Sequence, residues 1–166
     1  MKQGDILLIK YKYDPIGWII RKFTKSKWNH IAWALNNSYI IEANGSGIII
    51  SSIRKFQNKK LYDIKLIRIK NISKFNIQKV TKDLVSQTKR WRYATFLYSY
   101  ILTILGSKKC PCKSCSWFIT EALNKINYTI SKKNLKYITP EDYNKFKYCI
   151  EVTDELQRGV MDNYKR

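Results

Sequence analysis

Apolar positions along the first half of the chain recur in short runs with the spacing of strands. Gly4 to Lys10 reads as a turn-like Gly-Asp followed by a brief apolar strand. His30–Leu35 and Tyr39–Ala43 flank Asn36-Asn37-Ser38, the length and chemistry of a three-residue hairpin loop. Ile48–Ile50 follows the Gly45-Ser46-Gly47 turn, and Leu61–Ile69 alternates well enough for a further strand. The second half changes period. Asn76–Arg90 sets Ile77, Val80, Leu84 and Val85 at helical spacing, with lysines on the opposite face. Tyr93–Leu105 is apolar almost all round and predicts a buried helix. The clearest helix begins at Cys115, with Phe118, Ile119, Ala122, Leu123 and Ile126 forming one stripe and Ser114 placed to cap it. Thr139-Pro140 has the form of a cap residue followed by Pro at the first helical position. Strands first and helices second predict an α+β fold, and 166 residues suit a single domain spanning 1–166.

The hairpin carries the first chemical information. With a three-residue loop, Leu35 faces Tyr39, Ala32 faces Glu42 and His30 faces Asn44. His30, the only histidine, and Glu42 then lie on one face, one diagonal step apart. Ala32 and Ala34 between them predict open room above that face. Ile31, Trp33, Leu35, Tyr39, Ile41 and Ala43 collect on the other face as a core. Cys115 begins its helix, where the positive end of the helix dipole favours a thiolate. Cys115, His30 and Glu42 are the three residue types of a nucleophile, a base and an orienting group. An equally good fit for Cys115, on these positions alone, is a small apolar residue heading a buried stripe.

Composition adds charge. Lys and Arg number 32 against 12 Asp and Glu, a net +20, while hydrophobic residues make up 45% of the chain and exclude wholesale disorder. Such a surface favours anionic partners: nucleic acid, anionic lipid or acidic wall polymer. Thirteen Lys or Arg fall between Arg54 and Arg92 against only Asp63 and Asp83 as acids, with Trp91, Tyr93 and Phe96 beside them. That stripe gives the alternative reading, a non-enzymatic basic module binding nucleic acid or anionic surfaces, although such runs are commonly just solvated faces. Met1–Asp5 leads directly into the first strand without a secretion-signal pattern, and Ala94–Leu105 is shorter than a membrane span. A cytoplasmic location, with peripheral membrane association at most, is the expectation. Cys110, Cys112 and Cys115 crowd into one short segment, so a structural zinc with Cys149 or His30 as fourth ligand is a further alternative. The spacing lacks the paired knuckles of the common zinc modules, and no cofactor is expected.

The ordered set GDILLI, WNHIAWAL, YIIEANGSG, KSCSWFITEAL and ITPEDY resembles the circularly permuted NlpC/P60 proteins. These form the papain-like branch that includes the YiiX-like hydrolases, with lecithin:retinol acyltransferase and a group of poxvirus proteins as more distant relatives. The resemblance runs from about residue 4 to residue 146 in unbroken order. It implies a permuted papain-like fold, with an antiparallel sheet packed on helices. It also implies His30 as general base, Glu42 as orienting residue and Cys115 as nucleophile, in a peptidase, amidase or acyl-transfer enzyme acting on an amide or ester. The strong basicity, and Cys110 and Cys112 beside Cys115, depart from the family's pattern.

Overall fold

The computed structural model describes residues 1–44, 47–88 and 114–156. The expected helix at Tyr93–Leu105, the aromatics Trp91 and Phe96, and Cys110 and Cys112 lie outside the described residues. The protein is mixed α+β. Its order is β1 (Ile6–Tyr11), α1 (Pro15–Thr24), β2 (His30–Ala34), β3 (Tyr39–Asn44), β4 (Gly47–Ser52) and β5 (Tyr62–Ile69). After these come α2 (Lys74–Ser86), α3 (Cys115–Asn124), α4 (Pro140–Asn144) and β6 (Cys149–Glu151). The six strands form one antiparallel sheet in the order β4-β3-β2-β1-β5-β6. Neither α1 nor β6 was legible as an element in the hydrophobic pattern. Asp14-Pro15 carries the start signal for α1: Pro15 opens the helix, and the Asp14 carbonyl accepts from the Trp18 N–H at 2.9 Å.

Strand alternation splits the sheet's side chains between two cores. Ile6, Leu8, Ile31, Trp33, Ile41, Ile67 and Ile69 meet Val80 and Leu84 of α2 and Phe118, Ile119, Ala122 and Leu123 of α3. The stripe predicted for α3 is thus the face it buries, and the Ser114 hydroxyl caps it by accepting from the Trp117 N–H at 3.0 Å. The α2 helix starts earlier than its periodicity suggested, because Ser73 caps it by accepting from the Asn76 N–H. Val85 is a correction to the predicted stripe: it is exposed, since Leu84 takes the inward position at the last turn. The Trp33 indole N–H donates to Thr81 at 3.0 Å, tying α2 to the middle of the sheet. At α4, the Asp142 carboxylate accepts from both the N–H and the hydroxyl of Thr139, as the Thr-Pro start predicted.

The opposite face overturns one expectation. Instead of open room above Ala32 and Ala34, both alanines are fully buried beneath Ile53 and Phe56 and beside Leu7, Ile9, Ile40 and Leu66. The covering residues come from a 3-10 turn, Ile53–Phe56, immediately after β4. Small residues there make space for Phe56 rather than for solvent. Tyr39, expected in the core, is 50% exposed at the outer end of its strand. Residues Val152 and Leu156 and the first residue, Met1, close the edge of this second core. Arg68 locks that closure, its guanidinium donating to Asp5 at 2.6 and 2.9 Å and to Glu155 at 2.7 Å.

Candidate active site

The β2–β3 register falls where the hairpin loop length placed it, with Ala32 opposite Glu42, Trp33 opposite Ile41 and Ala34 opposite Ile40. His30 opens β2 and pairs with Ile9 of β1. From that position its Nε2 reaches Oε2 of Glu42 at 2.7 Å. Both side chains are buried, Glu42 completely. A buried carboxylate is tolerated only when its oxygens are satisfied. Glu42 Oε1 accepts from the Ser51 hydroxyl at 2.6 Å and from Lys55 Nζ at 3.2 Å.

Cys115 arrives from the other side. The body of α3 packs on the opposite face of the sheet from Glu42, and its first residue, Cys115, belongs to the same core cluster as Ile31 next to His30. There the thiol is near enough to the His30 side chain and the backbone N–H of Ile31 for both to favour its charged form. Glu42 engages Nε2, so Nδ1 is the ring nitrogen that does not face this carboxylate. Tyr11, the last residue of β1, sets its ring edge-on to the imidazole with centroids 5.8 Å apart. Asn29, just before His30, accepts from the Tyr11 N–H at 3.0 Å and so joins the two strand ends.

The electrostatics favour charge separation. Burial pushes the His30 imidazolium down, but hydrogen bonds and charge from Cys115 and Glu42 outweigh it and raise the group to about 9. Burial pushes Glu42 up, yet the bond and charge of His30, the Ser51 hydroxyl and the Lys55 ammonium bring it down to about 2. Burial opposes a thiolate at Cys115, and His30 with the Ile31 N–H overcomes it, leaving the thiol below its ordinary value. Cys149 gives the contrast: burial alone pushes it up to about 12.

The structure therefore brings Cys115, His30 and Glu42 together. Hydrophobic patterning missed Ser51 and Lys55, although one signal was available. In the β3–β4 pair Glu42 lies opposite Ile49, so Ser51 is the diagonal neighbour on the same face. Lys55 follows from the 3-10 turn, which no periodicity marks. Cys115 and Cys149 are free thiols. Among the described residues no three His, Cys, Asp or Glu side chains stand close enough together to hold a metal ion, and no helix is long and apolar enough to cross a membrane. Comparison of the chain with protein-family models and with curated proteins finds no match.

Proposed function

We propose that the protein is a thiol hydrolase or acyl-transfer enzyme of permuted papain-like fold, with Cys115 as nucleophile, His30 as proton carrier and Glu42 as orienting carboxylate. The observation that carries this reading is a buried imidazole held at Nε2 by a fully buried carboxylate, beside a buried helix-terminal thiol whose charged form it favours. A merely structural cysteine needs none of these partners.

The resting pair is a thiolate and an imidazolium. Thiolate attack on an amide or ester carbonyl forms a C–S bond and moves the carbonyl electron pair onto oxygen. A backbone N–H at the start of α3 is available to that oxyanion, because the first N–H groups of a helix have no partner within it. Collapse breaks the bond to the leaving group, which takes its proton from His30. Water, or an amine or alcohol acceptor, then attacks the thioacyl enzyme while neutral His30 accepts its proton. Loss of the thiolate completes the cycle and restores the ion pair. Glu42 keeps the ring in place through both transfers.

The test is an electrophilic acyl probe with mass-spectrometric mapping of the modified residue. Stoichiometric acylation at Cys115, abolished in His30→Ala, is the expected result. Equal modification of Cys115 and Cys149, unchanged by that substitution, would overturn the proposal.

A further inference from the structure

A second candidate site lies at the far end of α3. The helix has ten residues, so its two ends are about 15 Å apart. Beyond its C-terminus, Asn127 takes a left-handed conformation (φ 60°) that turns the chain into Tyr128 and Thr129. Asn71, also left-handed (φ 59°), turns the chain between β5 and α2. These residues, with Phe146 and Tyr148 leading into β6, line an open cleft of about 350 Å³.

The cleft is built rather than incidental. Its three rings form an edge-to-face ladder, Tyr128 to Phe146 at 6.1 Å and Phe146 to Tyr148 at 5.4 Å. The Tyr128 hydroxyl donates to the Lys70 carbonyl at 3.1 Å, and the Lys70 N–H donates to the Tyr148 carbonyl at 2.7 Å. Tyr148 is nevertheless 41% exposed, so part of its surface is open to a ligand. Asn71, Asn127 and Thr129 supply amide and hydroxyl groups, and among the described residues no carboxylate lines the cleft. Exposed cations border it. Lys70 precedes Asn71, and Lys145 and Lys147 flank Phe146, with Lys147 Nζ 4.8 Å from the centroid of the Tyr148 ring.

Stackable rings, side-chain amides and a rim rich in cations, of which Lys145 also pairs with Glu141 at 4.0 Å, match a ligand carrying flat bases on a polyanionic backbone. A glycan would also stack on aromatic rings, but it gives no account of the cations. We infer that this cleft binds single-stranded nucleic acid, with Tyr148 as a base-stacking platform and Lys70 and Lys147 as phosphate contacts. The site is separate from Cys115 and does not depend on the reaction proposed there.

The experiment measures binding of a fluorescently labelled single-stranded 12-mer to the full chain by anisotropy over a range of salt. Tyr148→Ala is expected to weaken binding about tenfold with little change in the salt slope, and Tyr148→Phe to retain it. Lys70→Gln with Lys147→Gln is expected to lower the slope by about one unit. Cys115→Ala is expected to bind as the parent does. The inference fails if Tyr148→Ala binds like the parent. It fails equally if inorganic polyphosphate, which has no bases, binds as tightly as the oligonucleotide and is insensitive to Tyr148. Either result would assign the binding to the +20 net charge alone.

Discussion

Nε2 of His30 lies 2.7 Å from Oε2 of Glu42, the two side chains meeting diagonally across an antiparallel pair in which Glu42 stands opposite Ala32. A fully buried carboxylate in that position has three donors around it: His30, Ser51 and Lys55. Two of the three are well placed to fix its orientation. Ser51 is on the neighbouring strand, and His30 is on the other. Lys55 is 43% exposed and contributes a screened charge more than a geometric restraint.

That division predicts different outcomes for two substitutions. Glu42→Gln keeps the shape and removes the charge that supports the imidazolium. Alkylation of Cys115 at pH 7 is expected to slow by about tenfold, the effect of one unit in the ion-pair equilibrium. Lys55→Met should change the rate by less than about twofold, because solvent already screens that ammonium. Measured alkylation rates in the two variants decide it, and a larger effect at Lys55 than at Glu42 would contradict the assignment of roles.

The same ion pair shapes stability against pH. His30 is raised to about 9 from 6.5, so its favourable contribution is complete below 6.5 and is lost as pH rises toward 9. Cys115 is lowered from 9.0, so its contribution has the opposite slope, present above 9.0 and lost as pH falls through its folded value. Where the folded thiol is ionised below 9.0, the folded pair and the unfolded pair each hold one proton, and the two slopes oppose one another. Unfolding free energy in wild type should therefore depend on pH less steeply than His30 alone would make it. In Cys115→Ala only the His30 slope remains, supported by Glu42, and stability should fall as pH rises above 6.5. Urea denaturation at pH 6.5 and 8.5 in both proteins checks this. Parallel pH profiles would show that no proton has moved from Cys115 to His30.

Much of this site is local and was legible for that reason. Three loop residues fixed the β2–β3 register, and register alone placed His30 and Glu42 on one face. The α3 stripe and its Ser114 cap likewise lie within a dozen residues of one another. What the sequence did not reveal is non-local. Whether Ala32 and Ala34 lie under solvent or under Phe56 depends on a turn some twenty residues downstream. The position of β1 between β2 and β5 brings Tyr11 against His30, and no periodicity encodes it. That the helix carrying Cys115 packs on one face while its first residue feels the charge of a histidine belonging to the other is a property of the assembled sheet.

Arg68 supplies a stability prediction away from the site. It bridges Asp5, which is 1% exposed, to Glu155 in the segment that closes the second core. Arg68→Met leaves the Asp5 charge buried with the Lys2 N–H as its donor within that turn. A loss of about 3 kcal/mol is expected, the usual cost of stranding one partner of a buried pair. Adding Asp5→Asn should recover part of it by removing the stranded charge. Chemical denaturation of the single and double variants measures both, and a double variant less stable than Arg68→Met would refute the argument.

The excess of cations predicts how a substrate is gathered. Most acids in the described residues are already engaged: Asp63 with Lys10 and Lys12, Asp83 with Lys125, Asp142 with Lys133, and Glu151 with Lys65. Lys60, Lys74, Lys79 and Lys82 are exposed and add positive charge to the solvent surface. Their field reaches about 8 Å into physiological salt, far enough to concentrate an anionic acyl substrate or its carrier surface but not to alter a buried thiolate. Replacing these four lysines by Gln should therefore raise the apparent KM for an anionic ester severalfold, leave kcat unchanged and leave Cys115 alkylation at its wild-type rate. Raising salt from 20 to about 300 mM should act on the wild type in the same direction, because both changes weaken the same long-range attraction. Turnover that is constant across salt in both proteins would mean that the surface charge takes no part in the reaction.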